Sequence, residues 1–96
     1  MKAYVIVNVN VRDPERYKDY IKAATPTVAA HGGRYIVRAG RAERLEGDVD
    51  IHRLVVLEFP SFAQARAWYD SPDYREALAI RQSCATAELV IVEGMA

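Results

Sequence analysis

Residues 51–81 read IHRLVVLEFPSFAQARAWYDSPDYREALAIR, and the punctuation of this stretch decides the fold. Ile51 to Phe59 predicts a strand, because it is rich in β-branched and aromatic residues and contains no Gly or Pro. Pro60-Ser61 ends that strand: Pro lacks the N–H that a ladder needs, and Ser61 offers an oxygen to cap a helix. Phe62, Ala65, Trp68 and Tyr69 then recur at the spacing of one helical face. Ser71-Pro72 repeats the cap-and-proline signal and starts another helix through Tyr74, Leu78 and Ile80. Two short helices joined at an angle can follow a twisted sheet surface that one straight rod would leave.

Working outward, AYVIVNVNV (Ala3 to Val11) predicts a first strand. Asp13-Pro14-Glu15 is a helix start, with Asp accepting from orphan N–H groups, Pro suited to the first turn and Glu to its positive end. Tyr17, Tyr20, Ile21, Ala24 and Val28 give that helix an apolar stripe, and Pro26 is expected to kink or shorten it. His31-Gly32-Gly33 closes it. Arg34 to Ala39 predicts a second strand, and the charged stretch Gly40 to Asp50 a long, mobile hairpin connection. Ala87 to Gly94 predicts the fourth strand.

The order strand, helix, strand, strand, helix pair, strand points to an α+β fold. With right-handed crossovers it becomes a ferredoxin-like split βαβ sandwich on a four-stranded antiparallel sheet. Helices on one side should leave the strands alternating apolar and polar residues. AYVIV, RLVVL and LVIV are instead apolar on both faces. Burying an exposed Val, Ile or Leu contributes about 1.5 to 3 kcal/mol each, so eight of them outweigh much of the association penalty. A second copy of the chain, sheet against sheet in a homodimer, is the simplest cover.

At 96 residues the chain has room for one ordinary core, so residues 1–96 are read as a single domain. With 51% hydrophobic and 27% charged residues it has a globular balance, and no apolar run nears the roughly 20 residues of a membrane span. The N-terminus MKAYVIVNVN lacks a small-residue cleavage site, which predicts a mature cytoplasmic chain. Thirteen basic residues against thirteen acidic ones leave no global field for nucleic acid or an anionic membrane. Cys84 is alone and reads as buried filler. Two distant His residues, and an EGDVD segment without EF-hand spacing, argue against a metal. No phosphate-cradling glycine loop or elbow serine is present, so no cofactor is expected.

The stretches DPERYKDY, HGGRY, LEGD, VVLEFPSFAQARAWYDSPDYREAL and LVIVEG resemble the domain-of-unknown-function 1330 family across nearly the whole chain. That family falls within the dimeric α/β-barrel group, which includes cofactor-independent monooxygenases, dye-decolorising peroxidases, muconolactone isomerases and stress-related proteins. The resemblance implies a fold and a dimer; it transfers no mechanism.

Strand alternation sorts the candidate residues. On the first strand Tyr4, Ile6, Asn8 and Asn10 share a face; on the third, His52, Leu54, Val56 and Glu58 share one and Arg53, Val55, Leu57 and Phe59 the other. A register sum near 62 would place Tyr4 beside Glu58 and Asn10 beside His52. Glu58 would have a raised pKa if buried and unpaired, or would be a rim carboxylate paired with an Arg. Arg53 could clamp a substrate carboxylate or join an ion pair. Tyr17, Tyr20 and Tyr74 could line a cleft between helices and sheet, or pack the core with hydrated hydroxyls. His31 could be a general base or a cation at a helix end.

The substrate-binding candidates are therefore Tyr17, His31, Arg53, Glu58 and Tyr74, in a homodimer that binds a small, partly apolar molecule between sheet and helices. A cofactor-independent enzyme of monooxygenase or isomerase type is one form of that reading. A non-catalytic stress-response or interaction module is the alternative.

Overall fold

The computed structural model describes all 96 residues. Four strands, β1 (Ala3–Val11), β2 (Arg34–Arg38), β3 (Arg53–Phe59) and β4 (Ala85–Glu93), are interleaved with helices α1 (Pro14–Ala30), α2 (Phe62–Asp70) and α3 (Pro72–Cys84). The strands form one sheet in the order β2-β3-β1-β4, every neighbouring pair antiparallel. This is the expected ferredoxin-like topology. A slab 33 × 31 × 17 Å results, one layer of sheet and one of helices.

The start signals act as the sequence suggests. Asp13 accepts from the Arg16 N–H, Ser61 from Gln64, and Ser71 from Tyr74, each satisfying an orphan donor of a first turn. Ser71 closes α2 and opens α3 in a single extended residue, which makes the turn between the two helices abrupt. At the end of α1, Gly32 takes a φ of +79°, and Gly33 approaches the Phe59 ring so closely that a Cβ there would lie 2.5 Å from it.

Pro26 neither splits nor shortens α1, which runs unbroken for 17 residues. The missing N–H falls on the exposed side, where water can serve the Lys22 carbonyl, and the Thr25 hydroxyl donates to the Ile21 carbonyl at 2.7 Å. Four strand ends also differ from expectation, one of them the end of β4, which stops at Glu93 rather than Gly94. β3 begins at Arg53 rather than Ile51, because the Asn8 side chain takes the backbone groups ahead of it: its Nδ2 donates to the Asp50 carbonyl at 2.9 Å, and its Oδ1 accepts from the His52 N–H at 3.0 Å. β2 stops at Arg38, since Ala39 turns left-handed at φ 57°. β4 begins at Ala85, straight from α3, because β1 pairs with it as far as Val11↔Ala85.

Alternation along the strands divides the sheet. Ala3, Val5, Val7 and Val9 of β1, with Val55, Leu57 and Phe59 of β3, point inward and are buried under the helices together with Trp68, Tyr74, Ala77 and Leu78. Trp68 ties the helices together: its ring centroid lies 4.1 Å from that of Tyr74, and its Nε1–H donates to Thr27 on α1 at 3.0 Å. The outer face has no helix over it. Val37, Val56, Ile6 and Val90 stand side by side across all four strands, and Ile6, Val37, Val90 and Val92 are 40 to 58% exposed.

Candidate functional site: an arginine-tyrosine cavity under the helices

The antiparallel register of β1 and β3 has the expected sum, with Tyr4 opposite Glu58 and Val9 opposite Arg53. Arg53 therefore stands on the same face as Val55 and Leu57, the one covered by helices. Opposite it, α3 presents Tyr74, Ala77, Leu78 and Arg81 at three- and four-residue spacing, all buried. Arg81 is the anomaly of that stripe, a cation only 5% exposed on an otherwise apolar helix face. From α1 come Tyr17 and Tyr20, one turn apart, with ring centroids 5.2 Å from each other.

These groups meet around a cavity of about 30 Å³ between sheet and helices. Val7, Val55, Leu57 and Leu89 wall it from the sheet, and Tyr17, Tyr20, Tyr35, Arg38, Arg53 and Arg81 supply its polar atoms. Arg38 is the exposed residue of the lining, which puts the mouth on its side of the cavity, next to α1 and β2, where Ile21 and Tyr35 are half-buried. Arg38 donates to Thr25 at 2.9 Å and stacks 4.2 Å above the Tyr35 ring. Arg53 lies 5.5 Å from the Tyr17 ring centroid, and Arg81 5.9 Å from that of Tyr20.

The electrostatics are one-sided. No Asp or Glu lines the cavity, and neither Arg53 nor Arg81 enters an ion pair. The Nε of each is buried without a hydrogen-bond partner. Burial pushes the Tyr17 hydroxyl above its ordinary pKa even though Arg53 pulls it down. Burial also raises Tyr20, and the neighbouring Tyr74 adds to the effect; their hydroxyls hydrogen-bond at 3.0 Å. Arg81 is held above its usual value by the phenolic oxygens of Tyr74 and Tyr20, which outweigh its desolvation. At neutral pH the cavity thus offers protonated phenols and charged guanidinium groups: donors in excess, with no anion to receive them.

Two of the sequence candidates, Tyr17 and Arg53, line this cavity, and Tyr74 stands behind it through its bond to Tyr20. His31 and Glu58 lie elsewhere. His31 caps α1, its Nδ1–H donating to the Thr27 carbonyl at 2.9 Å, as the helix-end reading requires. Glu58 is on the outer face, bound by Arg34 at 3.0 Å and Lys2 at 3.5 Å. Its carboxyl is lowered, not raised, because the Arg34 hydrogen bond favours the ionised form. Cross-strand pairing of Arg34 with Glu58 makes that bond almost unavoidable.

Sequence reasoning passed over Arg81, although its spacing from Tyr74, Ala77 and Leu78 places it on the buried stripe. It also gave no role to Tyr35 and Arg38, whose positions at the mouth depend on an irregularity between Tyr35 and Val37 that no residue pattern announces. No set of three His, Cys, Asp or Glu side chains converges to hold a metal ion. No helix is long and apolar enough to cross a membrane.

Residues 2–95 match the domain of unknown function DUF1330. The chain belongs to that family. No curated protein matches the sequence. Among solved structures, a protein of unknown function from Rhodopseudomonas palustris is similar over 99% of this chain and 83% of its own, with 23% identity and a TM-score of 0.78. SnoaB, a cofactor-independent oxygenase from Streptomyces nogalater, superposes over 99% of this chain and 94% of its own at 11% identity and a TM-score of 0.68. A dimeric ferredoxin-like protein of unknown function from Bacteroides fragilis does so over 97% and 96%, at 16% identity and a TM-score of 0.60. At such identities the DUF1330 chain shares their fold, and the likeness goes no further.

Proposed function

We propose that this DUF1330 protein, residues 1–96 as one domain, is a cytoplasmic homodimer that binds a small, partly apolar molecule between sheet and helices. The cavity framed by Tyr17, Tyr20, Arg53 and Arg81 carries the reading, because it sets convergent polar donors against an apolar wall. The row Val37, Val56, Ile6 and Val90 supports the dimer: a second copy laid sheet to sheet would remove it from water. Dimeric relatives of the same fold are consistent with that arrangement.

A cofactor-independent reaction of the oxygenase or isomerase kind fits such a site, with phenols and guanidinium groups stabilising negative charge as it develops on an oxygen. The likeness to SnoaB makes that chemistry worth testing. A non-catalytic stress-response or interaction module is favoured by a separate observation. The cavity is small, with room for a water or two, so a whole ligand needs the mouth as well.

A thermal-shift screen against small acids, quinones and phenols tests the reading. A ligand at about a hundred times its Kd stabilises by about 2.7 kcal/mol, enough to raise the melting temperature measurably. Binding that is lost on changing Arg53 to Met, with the dimer retained, supports the ligand-binding module. The absence of any hit, with Arg53→Met altering stability alone, supports the interaction module.

A further inference from the structure

A buried guanidinium group without a counter-charge is expensive, and native proteins pair it or place a ligand against it. Here Arg81 of α3, 5% exposed, and the half-buried Arg53 of β3 face one cavity, each with a buried Nε that meets no acceptor. A third, Arg38, stands at the mouth, engaged only by the Thr25 hydroxyl and the Tyr35 ring. The remaining polar neighbours, Tyr17, Tyr20 and Tyr35, present phenols that donate as readily as they accept. Every charged group around this space is therefore cationic, and the space itself is walled by apolar side chains.

We infer that the cavity between Arg53 and Arg81 is a carboxylate site, taking the head group of a small organic acid whose flat apolar body lies at the mouth beside Ile21 and Tyr35. This rests on the ligand-binding reading above and names the class of ligand. A carboxylate is planar and presents two oxygens, which suits guanidinium N–H groups arriving from opposite walls. Its size matches a void of about 30 Å³. A phosphoryl group suits the site less well: it is tetrahedral and carries more charge, and it is ordinarily met by backbone N–H groups at a helix start. The N-termini of α1, α2 and α3 are closed by Asp13, Ser61 and Ser71 and contribute no residue to this wall. The half-buried faces of Ile21 and Tyr35 then select the body of the acid by apolar contact.

The test is a titration of the protein carrying ¹⁵N-labelled arginine, following the side-chain Nε–H signals, with benzoate, benzamide and inorganic phosphate at constant ionic strength. Benzoate is expected to shift the Arg53 and Arg81 signals saturably. Benzamide and phosphate should bind at least about tenfold more weakly, as should benzoate to Arg53→Gln. Should Arg81→Met not fold, Arg81→Lys keeps the charge but loses the planar fork, and it too should weaken benzoate. Benzamide binding as tightly as benzoate at the same signals overturns the carboxylate assignment and leaves the ligand-binding cavity standing. Phosphate binding more tightly than benzoate overturns it in favour of a phosphoryl ligand. No response of either arginine to any of the three overturns both the assignment and the cavity.

Discussion

On the outer face of β3, Glu58 lies between Arg34 and Lys2, its charge answered twice; on the inner face of the same strand, Arg53 has a buried Nε with no acceptor at all. Five residues separate them, and the alternation of a strand puts them on opposite sides. The difference shows which charge is structural. A carboxylate at a sheet rim next to a cross-strand arginine has its charge answered within the fold. A guanidinium under a helical layer, facing another from α3, is incomplete. The apolar surfaces of the two faces differ in the same way: the inner one is covered by α1, α2 and α3, and the outer one, running from Val37 to Val90, is not.

Carboxylates placed one residue apart break this contrast most severely. Val7→Asp puts an unpaired charge under the helices and is expected to unfold the chain, since the penalty of several kcal/mol is comparable to the stability of a small domain. Ile6→Asp, on the open face, is expected to leave the fold intact and weaken the dimer at least about a hundredfold. Circular dichroism with sedimentation separates the two outcomes. Equal unfolding by both would mean that the faces are not distinct.

Next in size is Arg81→Met. Replacing this cation by an apolar side chain of similar length removes its desolvation cost together with the pull of the Tyr74 and Tyr20 hydroxyls, so the ligand-free protein should change in stability by no more than about 1 kcal/mol, while benzoate binding is lost. A denaturant titration reads the change. A fall of about 3 kcal/mol or more would show that interactions within the protein already complete Arg81 and would remove the motive for a ligand. Tyr20→Phe comes third: it deletes the 3.0 Å bond to Tyr74 and should cost about 0.5 to 1.5 kcal/mol, with the dimer unaffected.

The smallest effect belongs to Glu58→Gln. The folded carboxyl lies below its ordinary value of 4.5, so its pairing with Arg34 and Lys2 contributes stability above that pH and loses it as pH falls through the depressed folded value. The wild-type protein should therefore be slightly the more stable at neutral pH, and the two should converge in acid. A difference that persisted in acid would mean that Glu58 acts through packing rather than charge. Benzoate affinity should be unchanged in this variant, in contrast with Arg53→Gln.

Much of the fold was legible because its signals are local. Asp13-Pro14 and Ser71-Pro72 declare helix starts through one side-chain oxygen and one missing N–H, and both act at those positions. The opposite faces of Arg53 and Glu58 followed from a period of two. The errors arose where a distant residue decides. Pro26 reads as a break until its exposed side is known, and Ile51 reads as strand until Asn8, 42 residues before Asp50, is seen to hold the approach to β3. Of the site, Tyr17 and Arg53 were accessible to the pattern. Arg81 was not, because a cation at the end of a helical stripe is ordinarily a solvated one, and its burial here depends on α1 packing over α3.

The greasy outer face is the feature on which the account depends most, and sedimentation equilibrium of the wild-type chain at micromolar concentration tests it directly. A single species of twice 10.8 kDa is predicted, since the row from Val37 to Val90 has no cover within one copy. Folded, non-aggregating particles of 10.8 kDa across that range would contradict it.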